Sequence, residues 1–253
     1  MVFGALEKSG LHINRQKFEE KFHLLNSDYT YTQYNFKTLT TRPSNRFNGV
    51  NYAAINKDNG DRECFIPRNN ELLEIDIRAY HPTLLASLIG YKFKKQDIHE
   101  AFAEMYGVGY QTSKELTFKQ LYGGVFDKYK HLEFFSKVQS YTDQLWHQFN
   151  THGYIECPIS KHRFYKDKLI DMKPQKLLNY LLQNMETANN IKLLWQIFRI
   201  LRGCKTKLVL YTYDAFLFDY DTSEKEILTQ IEQIFFDNKL NIKLTSGSNY
   251  SFK

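Results

Sequence analysis

Apolar positions along the chain come in short, punctuated segments. Phe3, Leu6, Phe18, Phe22 and Leu25 give residues 2–25 a helix-like spacing. Residues 29–41 are rich in Tyr, Thr and Phe and predict a strand or a β-ribbon. The polar stretch from Arg42-Pro43-Ser44-Asn45-Arg46 to Asn59-Gly60-Asp61 predicts loop. Leu72-Leu73-Glu74-Ile75-Asp76-Ile77 reads as a short apolar strand ending near a carboxylate. Helices are expected over 82–90, 97–106, 112–122, 132–152 and 174–202. Lys207 to Tyr220 carries a second long strand pattern, 223–238 an amphipathic helix, and Ile242 to Phe252 a last strand. Strands flanked by long helices, without regular β-α alternation, predict an α+β fold.

Composition narrows the class. A chain of 253 residues makes one large domain or two small ones. With 42% hydrophobic and 25% charged residues it is not a disordered protein. No apolar run approaches the ~20 residues of a bilayer span, and no signal peptide opens the chain, so no membrane is expected. The cysteines, Cys64, Cys157 and Cys204, are isolated and odd in number, which argues against a disulfide scaffold or a Cys-based zinc site and fits a reducing, cytoplasmic compartment. A net charge of +6 permits a polyanionic partner. Aromatic residues reach 16%. Rings stack on bases but also fill cores, and most of them, Phe134, Phe135, Trp146, Phe149 and Trp195 included, are expected in the core.

Asp76 and Asp214 each sit among strand-forming apolar residues, where an ionised carboxylate is costly unless paired or metal-bound. Either alone reads as an ion-paired or solvent-facing strand end. Together on adjacent strands they would repel, and a divalent cation removes the problem. Two such ions, ~3.5–4 Å apart, serve phosphoryl transfer. The pair is therefore compatible with a nucleotidyl-transfer site without demanding one.

The segment Thr112 to Gly124 adds a second feature. Thr112 with Glu115 has the capping-box form, which predicts a helix start there, and Gly123-Gly124 a stop. Lys114, Phe118 and Tyr122 share one helical face. A first-turn lysine opposes the helix dipole, but fits an anion docked at that N-terminus. Taken alone, the segment reads as an ordinary amphipathic helix with a solvated lysine.

In order, these residues resemble the palm and fingers of a family A (DNA polymerase I-like) polymerase over nearly the whole chain. Leu72-Leu-Glu-Ile-Asp76 resembles motif A. Asp97-Ile98-His99 with Met105-Tyr-Gly-Val108 resembles the Asp-Ile-His segment ahead of the fingers helix. Lys114-x3-Phe118-x3-Tyr122-Gly123 resembles motif B. Asn179-x3-Gln183 is similar to the pair that touches the minor groove. Tyr211-Thr-Tyr213-Asp214-Ala-Phe-Leu-Phe resembles motif C. Thr41-Arg42-x-Ser44, with Asn51 and Arg62-Glu-Cys-Phe-Ile-Pro67, resembles the Thr-Gly-Arg-x-Ser stretch before motif A. Gly153-Tyr-Ile and Arg163-Phe-Tyr165 resemble the pattern between fingers and palm.

Departures from the family pattern are specific. The arginine four residues before the motif B lysine is Tyr110 here, leaving Lys119 or Lys128 as substitutes. The motif A glutamate that blocks the ribose 2′-OH is His81, followed by Pro82-Thr83, closer to family B, where a tyrosine ring blocks. Ala215 replaces the motif C glutamate and Tyr213 the histidine before it. Leu6 to Phe18 resembles the start of the thumb, yet the chain reaches Tyr34 and Thr41 almost at once, and no exonuclease carboxylate motif appears.

The resemblance implies a vestigial thumb over 1–41, palm over 42–96, fingers over 97–152 and palm again over 153–253. It implies a DNA-directed DNA polymerase acting on a primed DNA template and dNTPs, with a separate processivity or exonuclease factor as a further partner. It places such a chain in bacterial or phage-infected host cytoplasm. Asp76, Ile77 and Asp214 would hold two Mg²⁺ ions, for which Mn²⁺ can substitute. His99 and Lys114 would bind phosphates, Phe118 the sugar and base, Tyr122 the templating position, and His81 would lie under the ribose. Arg42, Arg163, Asn179, Gln183 and Tyr213 would contact DNA, with Arg46, Lys161 and His162 beside them. Two rivals share the scaffold: a primase-like or RNA-synthesising enzyme, and an inactive DNA-binding subunit.

Overall fold

A computed structural model describes residues 2–23, 27–45, 50–56 and 58–252, so that Leu25 and Arg46 lie outside the described residues. The elements run α1 (Val2–Ser9), β1 (Leu11–His12), α2 (Arg15–Phe22), β2 (Tyr29–Thr30), β3 (Tyr34–Asn35), β4 (Ser44–Asn45), β5 (Glu71–Ile77), α3 (Tyr80–Leu88), α4 (Ile98–Tyr106), α5 (Tyr110–Gly123) and α6 (Glu133–His152). They continue with β6 (Tyr154–Glu156), β7 (Arg163–Tyr165), α7 (Pro174–Ile200), β8 (Lys207–Thr212), β9 (Ala215–Tyr220), α8 (Lys225–Asp237) and β10 (Ile242–Gly247). The fold is α+β, and every strand pairing among the described residues is antiparallel. No described helix is long and apolar enough to cross a membrane.

The chain forms two compact units, and the division falls within α7. The first holds residues 1–38, 43–78 and 190–253. Its centre is a sheet in the order β10-β5-β9-β8. Register sets Leu72, Glu74 and Asp76 of β5 against Asp219, Leu217 and Ala215 of β9, so these residues share one face. Leu72 and Leu217 join the buried cluster of Tyr52, Phe65 and Tyr250 on that face. Burial fades along it: Leu72 is 0% and Glu74 7% exposed, and Asp76 is only half-buried. Glu74 is hydrogen-bonded by the Tyr250 hydroxyl, whose ring carries the Arg62 guanidinium at 4.3 Å. Against the opposite face lies α8, with Phe235 edge-on to Phe216 at 5.2 Å.

Several expectations change here. Residues 2–25 are not one helix. Gly10 interrupts them at φ 66, and a Cβ there would meet the Tyr31 ring at 2.8 Å, so the chain turns and Asn14 caps a second helix by accepting from Lys17 N–H. Residues 29–41 form only two-residue pairings, because Tyr34 serves as an anchor and not as part of a ladder. Its buried hydroxyl donates to the Tyr211 carbonyl at 2.8 Å and accepts from Tyr211 N–H at 3.1 Å, while Tyr31, Phe36 and Leu39 stay exposed. Lys207 to Tyr220 is a hairpin, not one strand. The two-residue turn Tyr213-Asp214 carries no glycine to announce it. The last strand stops at Gly247.

The second unit holds residues 39–42 and 79–189. Phe102, Phe134 and Phe135 interlock at its core, with Phe102 to Phe134 at 5.2 Å and Phe134 to Phe135 at 5.1 Å, both edge-on. Phe149 is buried and Trp146 stacks on it at 5.6 Å. Trp195 is the correction among the rings. It is 53% exposed, under the Arg199 guanidinium at 4.7 Å.

Candidate functional site

In the first unit the two aspartates come together through the backbone. Ile77 N–H donates to the Asp214 carbonyl at 2.9 Å, and Asp76 pairs in register with Ala215, the next residue. Asp76 thus closes β5 beside the turn that carries Asp214, and both residues are half-buried. Tyr213 holds that turn at φ 59, a region costly to a residue with a Cβ. A support sits behind it. Asn190, 0% exposed on α7, donates to the Tyr213 carbonyl at 2.7 Å and to the Tyr211 hydroxyl at 2.9 Å. Asn190→Ala removes both bonds and should cost about 1–3 kcal/mol of stability. A urea midpoint equal to that of the unchanged protein would show that the turn does not need this support.

Two carboxylates at neighbouring strand ends offer hard oxygen donors. Among the described residues no group of three or more His, Cys, Asp or Glu side chains gathers as a metal cage. An open carboxylate pair suits Mg²⁺, which takes one or two carboxylates and completes its shell with water and substrate phosphate. The nitrogen- and sulfur-rich closed sites of structural zinc have a different donor set.

In the second unit, α5 begins at Tyr110 with Gly109 at its N-cap, a turn's edge earlier than the expected cap at Thr112. The reason is Ser113. Its hydroxyl, 0% exposed, lies against the Tyr110 carbonyl at 2.7 Å and the His99 carbonyl at 3.0 Å, tying α5 to α4. Asp97 caps α4 by accepting from His99 N–H and Glu100 N–H, and it also accepts from the Tyr110 hydroxyl at 3.3 Å. Tyr110 therefore stands between two predicted phosphate ligands. The Lys114 ammonium lies 4.7 Å from its ring centre and His99 packs edge-on at 5.8 Å.

The buried face of α5 is Ser113, Thr117, Gln120 and Leu121. Lys114, Phe118 and Tyr122 fall on the other side, with Phe118 46% and Tyr122 38% exposed. The two rings stack at 5.9 Å and 18°. Tyr122 ends at His81, its hydroxyl 2.7 Å from His81 Nδ1. His81 is itself buried at 7% exposure, with Nε2 2.8 Å from Glu186.

The residues expected to contact DNA are also engaged within their own units. Arg42 forms a two-pronged ion pair with Glu186. Arg163 pairs with Glu156 at 2.9 Å and lies over the Tyr154 ring. Gln183 donates to Asn179 at 3.3 Å and accepts from Thr40 at 3.0 Å. Asn184 donates to the Thr40 carbonyl and the Thr41 hydroxyl, so residues 39–42 are strapped to α7. Thr41 takes φ 59 in that strap, a conformation costly to a residue with a Cβ.

No family model matches the sequence, and no curated protein matches it. The fold has a match. The chain has the fold of a polymerase domain. It is similar to the POL domain of Pol1 from M. smegmatis, in complex with DNA primer-template and dNTP, with a TM-score of 0.75 and 15% sequence identity. The match covers 94% of this chain and 50% of that one, so the chain spans about half the length of its neighbour.

Within the polymerase-domain fold, three residues matter that the motifs did not bring out: Asn184, Glu186 and Asn190. A signal for them exists. Asn184, Glu186, Thr187 and Asn190 put a run of polar residues between the buried leucines at 177–182 and at 193–194 of α7, and all four are buried. Buried polar groups are nearly always hydrogen-bonded, so such a run marks a network and not a surface.

Proposed function

We propose that this chain is a DNA-templated DNA polymerase that adds dNTPs to a primer 3′ end. The observation that carries this reading is the adjacency of Asp76 and Asp214 at neighbouring strand ends of a chain with a polymerase-domain fold. Asp76, Asp214 and Ile77 would hold two Mg²⁺ ions. When bound, the ions would lower the pKa of the primer 3′-OH and neutralise charge on the triphosphate. The 3′-hydroxyl gives its proton to water, its oxygen forms a bond to the α-phosphorus, the bond from that phosphorus to the bridging oxygen breaks, and pyrophosphate leaves.

The remaining roles follow from charge and shape. Lys114 and His99 bind the phosphates, with the Lys114 ammonium held over the Tyr110 ring. Phe118 carries the sugar and base, Tyr122 faces the templating position, and His81 lies under the ribose. Arg42, Arg163, Asn179, Gln183 and Tyr213 touch DNA. Minor-groove acceptors are present at every base pair, so the Asn179 and Gln183 amides can hold a duplex without reading its sequence. We assign the sheet of the first unit to the palm and α4 to α6 to the fingers.

His81 in place of a carboxylate favours one further reading, an RNA-synthesising enzyme on the same scaffold. Extension of a labelled primer with dNTPs, with rNTPs and without template separates the readings. Extension with dNTPs on a template supports the proposal, preference for rNTPs supports the RNA-making enzyme, and no extension under any condition supports an inactive DNA-binding subunit.

A further inference from the structure

Arg42, His81, Tyr122 and Glu186 come from four separate segments of the second unit, and their polar groups form one chain of hydrogen bonds. Glu186 lies on α7 with its side chain 2% exposed. Arg42 donates through Nε to Oε1 at 3.0 Å and through Nη2 to Oε2 at 3.2 Å. The same Oε2 lies 2.8 Å from His81 Nε2, and His81 Nδ1 lies 2.7 Å from the Tyr122 hydroxyl. A carboxylate this deep is costly unless it is paired, and the arginine fork pairs both oxygens.

The direction of the chain follows from what each group can do. An ionised carboxylate only accepts, so Nε2 of His81 carries the proton. With the ring neutral, Nδ1 is an acceptor and takes the one proton of the Tyr122 hydroxyl. That bond turns the tyrosine tip inward and fixes its ring, edge-on to His81 at 5.9 Å and stacked on Phe118 at 5.9 Å. The exposed end of the relay is a pair of ring faces whose neighbouring polar atoms, the Tyr122 hydroxyl and both His81 nitrogens, already have hydrogen-bond partners.

We propose that Glu186, braced by Arg42, is a positioning residue for sugar discrimination, acting through the His81 tautomer on the Tyr122–Phe118 ring pair. This deepens the polymerase reading and rests on it. A ribonucleotide brings one more hydroxyl than a deoxynucleotide. Against rings with no polar group to spare, that hydroxyl loses its water and gains nothing. If the Glu186 carboxylate is lost, His81 is free to change tautomer, the Tyr122 hydroxyl is released to turn outward, and it can pair with the 2′-OH.

The test is the ratio of kcat/KM for a dNTP to that for the matching rNTP, in unchanged protein, Glu186→Gln, Tyr122→Phe and the double variant. Glu186→Gln should lower the ratio about tenfold, mainly by raising rNTP use, because its amide can donate or accept. Tyr122→Phe should keep the ratio high, since no hydroxyl is left to turn outward. The double variant should return to the ratio of Tyr122→Phe, a rescue that a merely structural role for Glu186 would not give. An unchanged ratio in Glu186→Gln, or a fall that Tyr122→Phe does not rescue, overturns the proposal. Ring ¹⁵N NMR of His81 in the unchanged protein needs neither activity nor a variant. A protonated Nε2 with a bare Nδ1 is expected, and a bare Nε2 overturns the relay. Absence of primer extension together with the expected tautomer would sink the polymerase reading instead, and the assignment to sugar discrimination with it.

Discussion

Asp76→Asn and Asp214→Asn should each reduce primer extension by on the order of a thousandfold, about 4 kcal/mol of transition-state stabilisation, while duplex binding stays nearly unchanged. Asparagine keeps the size and one acceptor oxygen of aspartate but not its charge, and charge is what holds a divalent cation against water. The backbone pairing between the two residues does not run through either carboxylate. Asp76 lies at the half-buried end of its strand face, beyond the apolar cluster of Leu72 and Leu217, and the Asp214 bond to Ile77 N–H uses the backbone carbonyl. In the proposed reading, binding to the duplex rests on basic and amide groups elsewhere, which position DNA without taking part in the chemistry. Single-turnover extension beside fluorescence anisotropy of a labelled duplex measures the two quantities separately. Substantial extension by either variant removes that residue from the catalytic role.

Lys114→Ala should lower kcat/KM for dNTPs by about a hundredfold, close to 2.7 kcal/mol. Lys114 is the fifth residue of α5, one turn beyond the helix start at Tyr110, and its ammonium reaches back over the Tyr110 ring. Tyr110 supplies a ring under that ammonium and no second charge. The contact is worth about 0.5–1 kcal/mol at an exposed site, enough to aim the lysine but not to replace an arginine. Lys114→Arg, which keeps the charge, should retain most of the activity. Steady-state kinetics with one dNTP decides the matter, and a loss of less than about threefold in Lys114→Ala would place the phosphate contact on another residue.

The sequence made the long elements legible and the short ones not. Helices α6 and α7 follow from sustained apolar spacing, and β5 from a dense run of branched residues. The hairpin of β8 and β9 was hidden because its turn is held from outside. Asn190 bonds the Tyr213 carbonyl and keeps an unfavourable φ that no local preference announces. The start of α5 was misplaced for a similar reason. Ser113 reaches back to the His99 carbonyl, a tertiary contact that outweighs the capping-box pattern at Thr112. The aspartate pair and the Lys114, Phe118 and Tyr122 face could be read from residue types and spacing. The hydrogen-bond chain through His81 could not, since Arg42, Tyr122 and Glu186 lie far from it and from one another in sequence.

The central claim is templated synthesis, and base choice tests it most directly. Four primed templates that differ only in the base facing the incoming nucleotide are each offered the four dNTPs one at a time with Mg²⁺. Each template should direct addition of its complementary nucleotide, and this addition should disappear in Asp76→Asn. Addition of the same nucleotide on all four templates, or no addition on any, would contradict that claim.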